Sequence, residues 1–283
     1  MFYGAAAFLS ESKTVEALKL VKLGRVYQLG RVLTLDSPVH PFHGPLFYNT
    51  YRRVRDALRM WRGNYGAMNI RIELSDHTGT HIDALNHVSI GERLYGDKQV
   101  LEVEYEHGTK ELGAENLPPI VTRGILVDVA AAKGVPILED DYLITLEDVR
   151  RALEGGSVKE PSTGDAVIFR TGWGSLWESD KKRYTGPPMP GISIEVAKWL
   201  SQKRVSLVGG DTPSVERIIP EPPGTPHVEP VHQHLIVESG IFILENLNLE
   251  EIARDRVYEF LFICNPVRVL GATAGLVNPL ALA

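Results

Sequence analysis

The 283-residue chain reads as a single α/β domain, residues 1–283, built on a central mixed β-sheet. Three observations predict this. Strand-like and helix-like segments alternate through the second half of the sequence, which is the pattern of strand–helix–strand units. Two of those strand segments, Gly124–Val129 and Ile241–Leu244, are apolar enough to be buried. No internal repeat or low-complexity tract divides the chain, and its length suits one large core.

Composition narrows the function classes. With 43% hydrophobic and 23% charged residues, the chain has the balance of an ordinary globular protein. A net charge of -6 without a basic block argues against nucleic acid or an anionic membrane as partner. No apolar run approaches the ~20 residues needed to span a bilayer. Cys264 is the single cysteine, so no intrachain disulfide forms and a disulfide-held exported fold is excluded. The opening Met1–Leu9 segment is apolar but short, with no positive region before it, and makes a poor leader. The expectation is a cytoplasmic protein.

In chain order, Ser12–Lys22 reads as an amphipathic helix with Val15, Leu18 and Val21 on one side, stopped by Gly24. Arg25–Leu35 reads as a strand, and residues 1–35 are either an arm against a second subunit or part of the core. Asp36–Pro45 is too rich in proline and glycine for regular structure. His40 and His43 there read as solvated or loop-packing, while Phe42, Phe47 and Tyr48 suit a pocket wall. Tyr51–Met60 reads as a helix. Met68, Ile70, Ile72 and Leu74 alternate with polar residues, as in a half-buried strand.

After residue 87 the chain is irregular to about Pro119, with Glu102, Glu104, Glu106 and His107 in a solvated stretch. Thr145 opens a helix through Leu153, Asp148 completes a near capping box and Gly155 closes it. Asp165–Arg170 is a strand followed by the turn Thr171–Gly174. Ser193 caps a helix to Lys203, and Val205–Val208 is a strand that runs into Gly209–Ser214. Asp211 and Ser214 read as turn-stabilising hydrogen-bonders, or as supports for a ligand histidine.

The chemistry concentrates in His77-Thr78-Gly79-Thr80-His81-Ile82-Asp83-Ala84-Leu85-Asn86-His87. Imidazole nitrogens and a carboxylate are donors that Zn²⁺, Mn²⁺ and Fe²⁺ accept. Burying them with nothing to bind is costly. Thr78, Gly79 and Thr80 make a poor helix interior, which separates the segment from the H-E-x-x-H helix of zinc proteases. It begins where a strand ends, and in extended chain His77, His81, Asp83 and His87 share one face. A second cluster places His232 and His234 before the buried run Ile241–Leu244, which ends in Glu245. A carboxylate at the end of a buried strand needs a partner, either a cation or an arginine.

The first segment resembles the signature H-x-G-T-H-x-D-x-P-x-H of the cyclase-like metal-dependent hydrolases, a family that includes bacterial kynurenine formamidases and isatin hydrolases. Leu85 stands where that signature has proline. The resemblance implies a swivelling β/β/α architecture and a homo-oligomer. It also implies one or two Zn²⁺ or Mn²⁺ ions held by His77, His81 and Asp83, with His232 and Glu245 completing a second position and His234 as the alternative to His232. His87 takes the general base and acid role, for which an imidazole pKa near 6.5 is suited. The expected reaction is hydrolysis of a C–N bond in a small aromatic amide or lactam, with Phe47, Trp61, Tyr65 and Trp173 available to stack on the ring. A lactone hydrolase or cyclase is the alternative enzyme, and a metal-binding member without turnover the alternative of another class.

Overall fold

The computed structural model describes residues 3–222 and 224–283; Met1 and Phe2 of the apolar opening segment, and Pro223, lie outside the described residues. One nine-stranded sheet organises the chain. From one edge to the other its strands are Val26–Gln28, Leu280–Leu282, Glu259–Cys264, Ile120–Asp128, Ala166–Arg170, Leu207–Gly210, Phe242–Glu245, His81–Asp83 and Ala274–Leu276. The four from Ile120–Asp128 to Phe242–Glu245 run parallel, and antiparallel strands extend the sheet on both sides. The sheet is mixed, as expected.

The parallel strands are buried along almost their whole length, consistent with their apolar sequences and with helices covering such sheets. Helix Leu146–Gly155 starts where its capping chemistry predicts. Thr145 Oγ1 accepts from Asp148 N, and the Asp148 carboxylate accepts from Thr145 N. Ser193 caps Ile194–Gln202 in the same way, through the N–H of Val196. No helix among the described residues is long and apolar enough to cross a membrane.

Described parts of the opening segment pack on the main sheet of their own chain. Helix Glu11–Leu18, shorter than expected, packs on the Ile120–Asp128 strand, and Thr14 Oγ1 donates to Val121 O. Only Val26–Gln28 of the Arg25–Leu35 stretch is a strand; it pairs with Leu280–Leu282 and buries Tyr27. A projecting arm exists elsewhere. Strand Phe47–Arg52, helix Val54–Trp61 and strand Asn69–Glu73 form a separate unit whose two strands pair antiparallel with each other. The second of these was expected to bury one face, yet all five of its residues are exposed. Its alternation is real, but nothing among the described residues covers the apolar side.

Candidate metal centre and cleft

Strand register assembles the centre. His81–Asp83 runs antiparallel to Phe242–Glu245, with His81 opposite Glu245 and Ile82 opposite Leu244. The start of one strand therefore lies beside the end of the other, and directly opposed side chains share a face. His81, Asp83 and Glu245 thus meet although 162 positions separate the two acids. On the other side Ala274–Leu276 pairs with the same short strand and brings Thr273 up to His77. His232 arrives on the turn Pro230–His232, which continues into a π-helical turn, Gln233–Glu238. Such turns are common at functional sites.

The donors converge. His77 Nδ1 lies 3.3 Å and His81 Nε2 3.5 Å from Asp83 Oδ1, and His81 Nε2 is 3.4 Å from Glu245 Oε2. His232 Nε2 is 3.2 Å from Glu245 Oε1 and 3.9 Å from Asp83 Oδ2. His77, Asp83 and His87 form one set with ligand atoms within 4.8 Å of each other, and Asp83, His232 and Glu245 form another. Asp83 belongs to both. His234 is turned away, bonding Ser201 and Glu238.

Each ring is oriented by its far nitrogen. His81 Nδ1 donates to Gly79 O at 2.8 Å, and His232 Nδ1 to Glu216 Oε1 at 2.7 Å. Thr273 Oγ1 donates to Asp76 and so accepts from His77 Nε2 at 2.9 Å. In the neutral rings the hydrogen-bond network places the remaining lone pair on His77 Nδ1, His81 Nε2 and His232 Nε2, all facing the carboxylates. Asn246, at φ 59°, clamps the motif from behind: its Nδ2 donates to Gly79 O and its Oδ1 accepts from Tyr184. Gly79 sits at φ +70°, where a Cβ would strike Leu33 at 2.5 Å.

The electrostatics are those of a cation site. Asp83 is fully buried, and burial pushes its carboxyl pKa up. Burial likewise lowers His77 to about 3 and His87 to about 4. For His81 burial acts the same way, but Glu245 and Asp83 outweigh it and raise the ring to about 9. His232 is raised well above the usual range, since Glu216 and Glu245 overcome the effect of burial. Against burial, His232 and His81 hold the Glu245 carboxyl well below the usual carboxylate range. Both Asp83 oxygens and His81 Nε2 nonetheless lack a hydrogen-bond partner. Three orphaned buried polar atoms facing one point fit a bound divalent ion.

The centre opens into a cleft of about 900 Å³, near the upper end for a small-molecule site. His77, His81, His87, His232 and Glu245 line its floor. His40 and His43, set aside from sequence, line its wall, and His43 stacks on His77 at 4.9 Å between ring centroids. Ser214 also lines it, with an unpartnered Oγ. Asp211 is instead a buried turn anchor, accepting from Thr171 N, Thr171 Oγ1 and Gly174 N. The aromatic residues expected to hold a substrate lie elsewhere. Trp173 is fully buried against Tyr184, to whose carbonyl its Nε1 donates, and Phe47, Trp61 and Tyr65 stand on the exposed 47–73 arm, outside the cleft lining of their own chain. Glu216, which the sequence reading missed, supports His232 from within the Ser214–Ile219 segment; no local pattern marks it. Leu85 is buried in the main core.

Known proteins share sequence and fold with this chain. A curated kynurenine formamidase of Bacillus cytotoxicus is 26% identical over 197 residues, covering 69% of this chain and 72% of its own. One from Erythrobacter litoralis is 25% identical over 224 residues, covering 77% and 79%. A crystal structure described as a novel cyclase superposes with a TM-score of 0.88 at 28% identity, over 99% of this chain and 95% of that one. Isatin hydrolase A from Labrenzia aggregata shares the fold, with a TM-score of 0.65 at 21% identity, over 91% and 93%. The family model described as "Putative cyclase" matches residues 27–217, about two thirds of the sequence, and the chain belongs to that cyclase family.

Proposed function

We propose that this chain is a metal-dependent hydrolase that cleaves the C–N bond of a small aromatic amide or lactam, as the names of its kynurenine formamidase and isatin hydrolase relatives suggest. One observation carries the reading: the unpartnered, buried oxygens of Asp83 lie between histidine nitrogens whose other edges are already tied down. His77, His81 and Asp83 are the proposed ligands of one ion, and Asp83, His232 and Glu245 those of a second; Zn²⁺ and Mn²⁺ both suit such donors. A divalent ion held there supplies Lewis acidity and makes water a usable nucleophile near neutral pH.

The protein's own groups do the rest. His87 faces the cleft with its ring 4.1 Å from that of His77, and burial keeps it neutral at pH 7. It is free to take a proton from the attacking water and return it to the departing nitrogen. The cleft walls around Val88, Ile192 and Ile218 are apolar and limit bulk water. We assign the chain to the cytoplasm and to a homo-oligomer.

The test is turnover of N-formylkynurenine, isatin and a dienelactone with added Zn²⁺ or Mn²⁺, beside metal analysis of variants. His81→Ala is expected to lose metal, whereas His87→Ala keeps metal and loses at least 100-fold in kcat, the usual scale for a general acid–base residue. Hydrolysis of the dienelactone alone would favour the lactonase reading. Equal metal loss in both variants would make His87 a ligand and end its assignment as base.

A further inference from the structure

Two histidines of the cleft wall have no part in the ligand set below them. His40 caps and His43 closes the short 3-10 turn Pro41–His43, in which the His43 N–H donates to His40 O at 2.9 Å. Side chains three residues apart on such a turn stand nearly in line, and these two rings lie 5.7 Å apart. The turn also settles which edge of His40 is free. Its Nδ1 accepts from the Phe42 N–H at 3.4 Å, so a neutral His40 carries its proton on Nε2. Among the described residues, neither His40 Nε2 nor either ring nitrogen of His43 has a hydrogen-bond partner.

Both rings line the cleft, and His43 reaches the centre itself, stacking on His77 at 4.9 Å with 12° between the planes. An imidazole offers at least one N–H donor in either charge state. The remaining wall differs in character. Glu195, Glu221 and Glu229 accept when ionised, the Ile192 and Ile218 side chains are apolar, and Arg217 is the single lysine or arginine among the described lining residues. Unfilled donors beside a reacting group discriminate strongly, because a substrate without the matching acceptor leaves them unpaired.

We infer that His40 and His43 are specificity-determining residues, donating hydrogen bonds to a second oxygen of the substrate, beside its scissile amide. Because His43 lies against His77, that oxygen sits only a few bonds from the amide group. A carbonyl on the neighbouring ring carbon has this placement. The assignment deepens the hydrolase reading above and rests on it.

Binding of product-like anilines to the zinc-loaded protein tests the wall apart from turnover. Ortho-aminoacetophenone carries the neighbouring carbonyl, and ortho-ethylaniline has an apolar group in its place. In isothermal titration calorimetry the native chain is expected to prefer the ketone by about tenfold or more, the scale of a donor filled rather than left unpaired. His40→Phe/His43→Phe is expected to lose most of that preference with unchanged circular dichroism and zinc content, and His40→Gln/His43→Gln, which keeps amide donors, to retain part of it. His40→Phe alone, which leaves the stack on His77 in place, is expected to lower the preference by about threefold. A native chain without the preference, or a preference that survives both Phe variants, overturns the inference. So does its abolition in Arg217→Ala, since the guanidinium then holds the oxygen. Turnover of the two N-formyl derivatives is a separate measurement: its absence counts against the hydrolase reading, while the binding preference decides the wall.

Discussion

At the scale of single residues, the geometry of the centre depends on groups outside the proposed ligand set that orient the rings within it. Glu216 is 3% exposed and accepts from His232 Nδ1 as well as from the backbone N–H of His232 and Val231. Removing it frees the ring to rotate and to change tautomer. Support of this kind is typically worth about 10–100-fold in metal affinity. Glu216→Ala is therefore expected to bind Zn²⁺ that much more weakly in competition with a chromophoric chelator, and Glu216→Gln, which still accepts from Nδ1, less so. Wild-type affinity in folded Glu216→Ala would remove it from the account. The proposed ligands His77, His81 and Asp83 could be picked out because they sit on one short segment, where spacing reports a shared face. Their supports were not: Glu216, Asp76 and Thr273 reach the rings only through tertiary pairing.

At the scale of elements, cap chemistry was the most legible signal, because its partners lie three residues apart. The Asp148 carboxylate accepts from Thr145 N at 2.9 Å, Thr145 Oγ1 at 2.7 Å and Tyr142 Oη at 3.0 Å. Burial alone would raise its pKa, but these bonds prevail and lower it below 3.8. A carboxyl lowered on folding adds stability above its unfolded pKa, and that contribution disappears as pH falls through the folded value. Thr145→Ala is expected to cost about 1 kcal/mol in urea denaturation at pH 7. The difference between wild type and Asp148→Asn is expected to shrink between pH 4 and pH 2; a gap that widened on acidification would contradict it. The arm shows the opposite case. Alternation in 68–74 foretold a strand, but the period cannot say whether the apolar side is covered, or by which chain.

At the scale of the whole molecule, the sheet gathers residues 77–87 and 232–245 into one place and leaves an electrostatic problem at its centre. Two buried acids and several buried imidazoles must be satisfied together, and three of their atoms have no hydrogen-bond partner. Because Asp83 lies on a fully buried strand between Phe242–Glu245 and Ala274–Leu276, that cost bears on the whole fold rather than on a loop. A ligand that binds only the folded state stabilises it by RT ln(1 + [L]/Kd), about 4 kcal/mol at a thousandfold excess over Kd. Stripping the protein with a chelator is thus expected to lower its urea midpoint substantially, and Zn²⁺ or Mn²⁺ to restore it in a concentration-dependent way. In Asp83→Ala, where the shared carboxylate is gone, added metal is expected to shift the midpoint by less than a quarter of the wild-type response. If chelator-treated protein shown to be metal-free melts as the metal-loaded protein does, the convergence at Asp83 is a self-sufficient ion-pair network, and the centre holds no ion that matters to the fold.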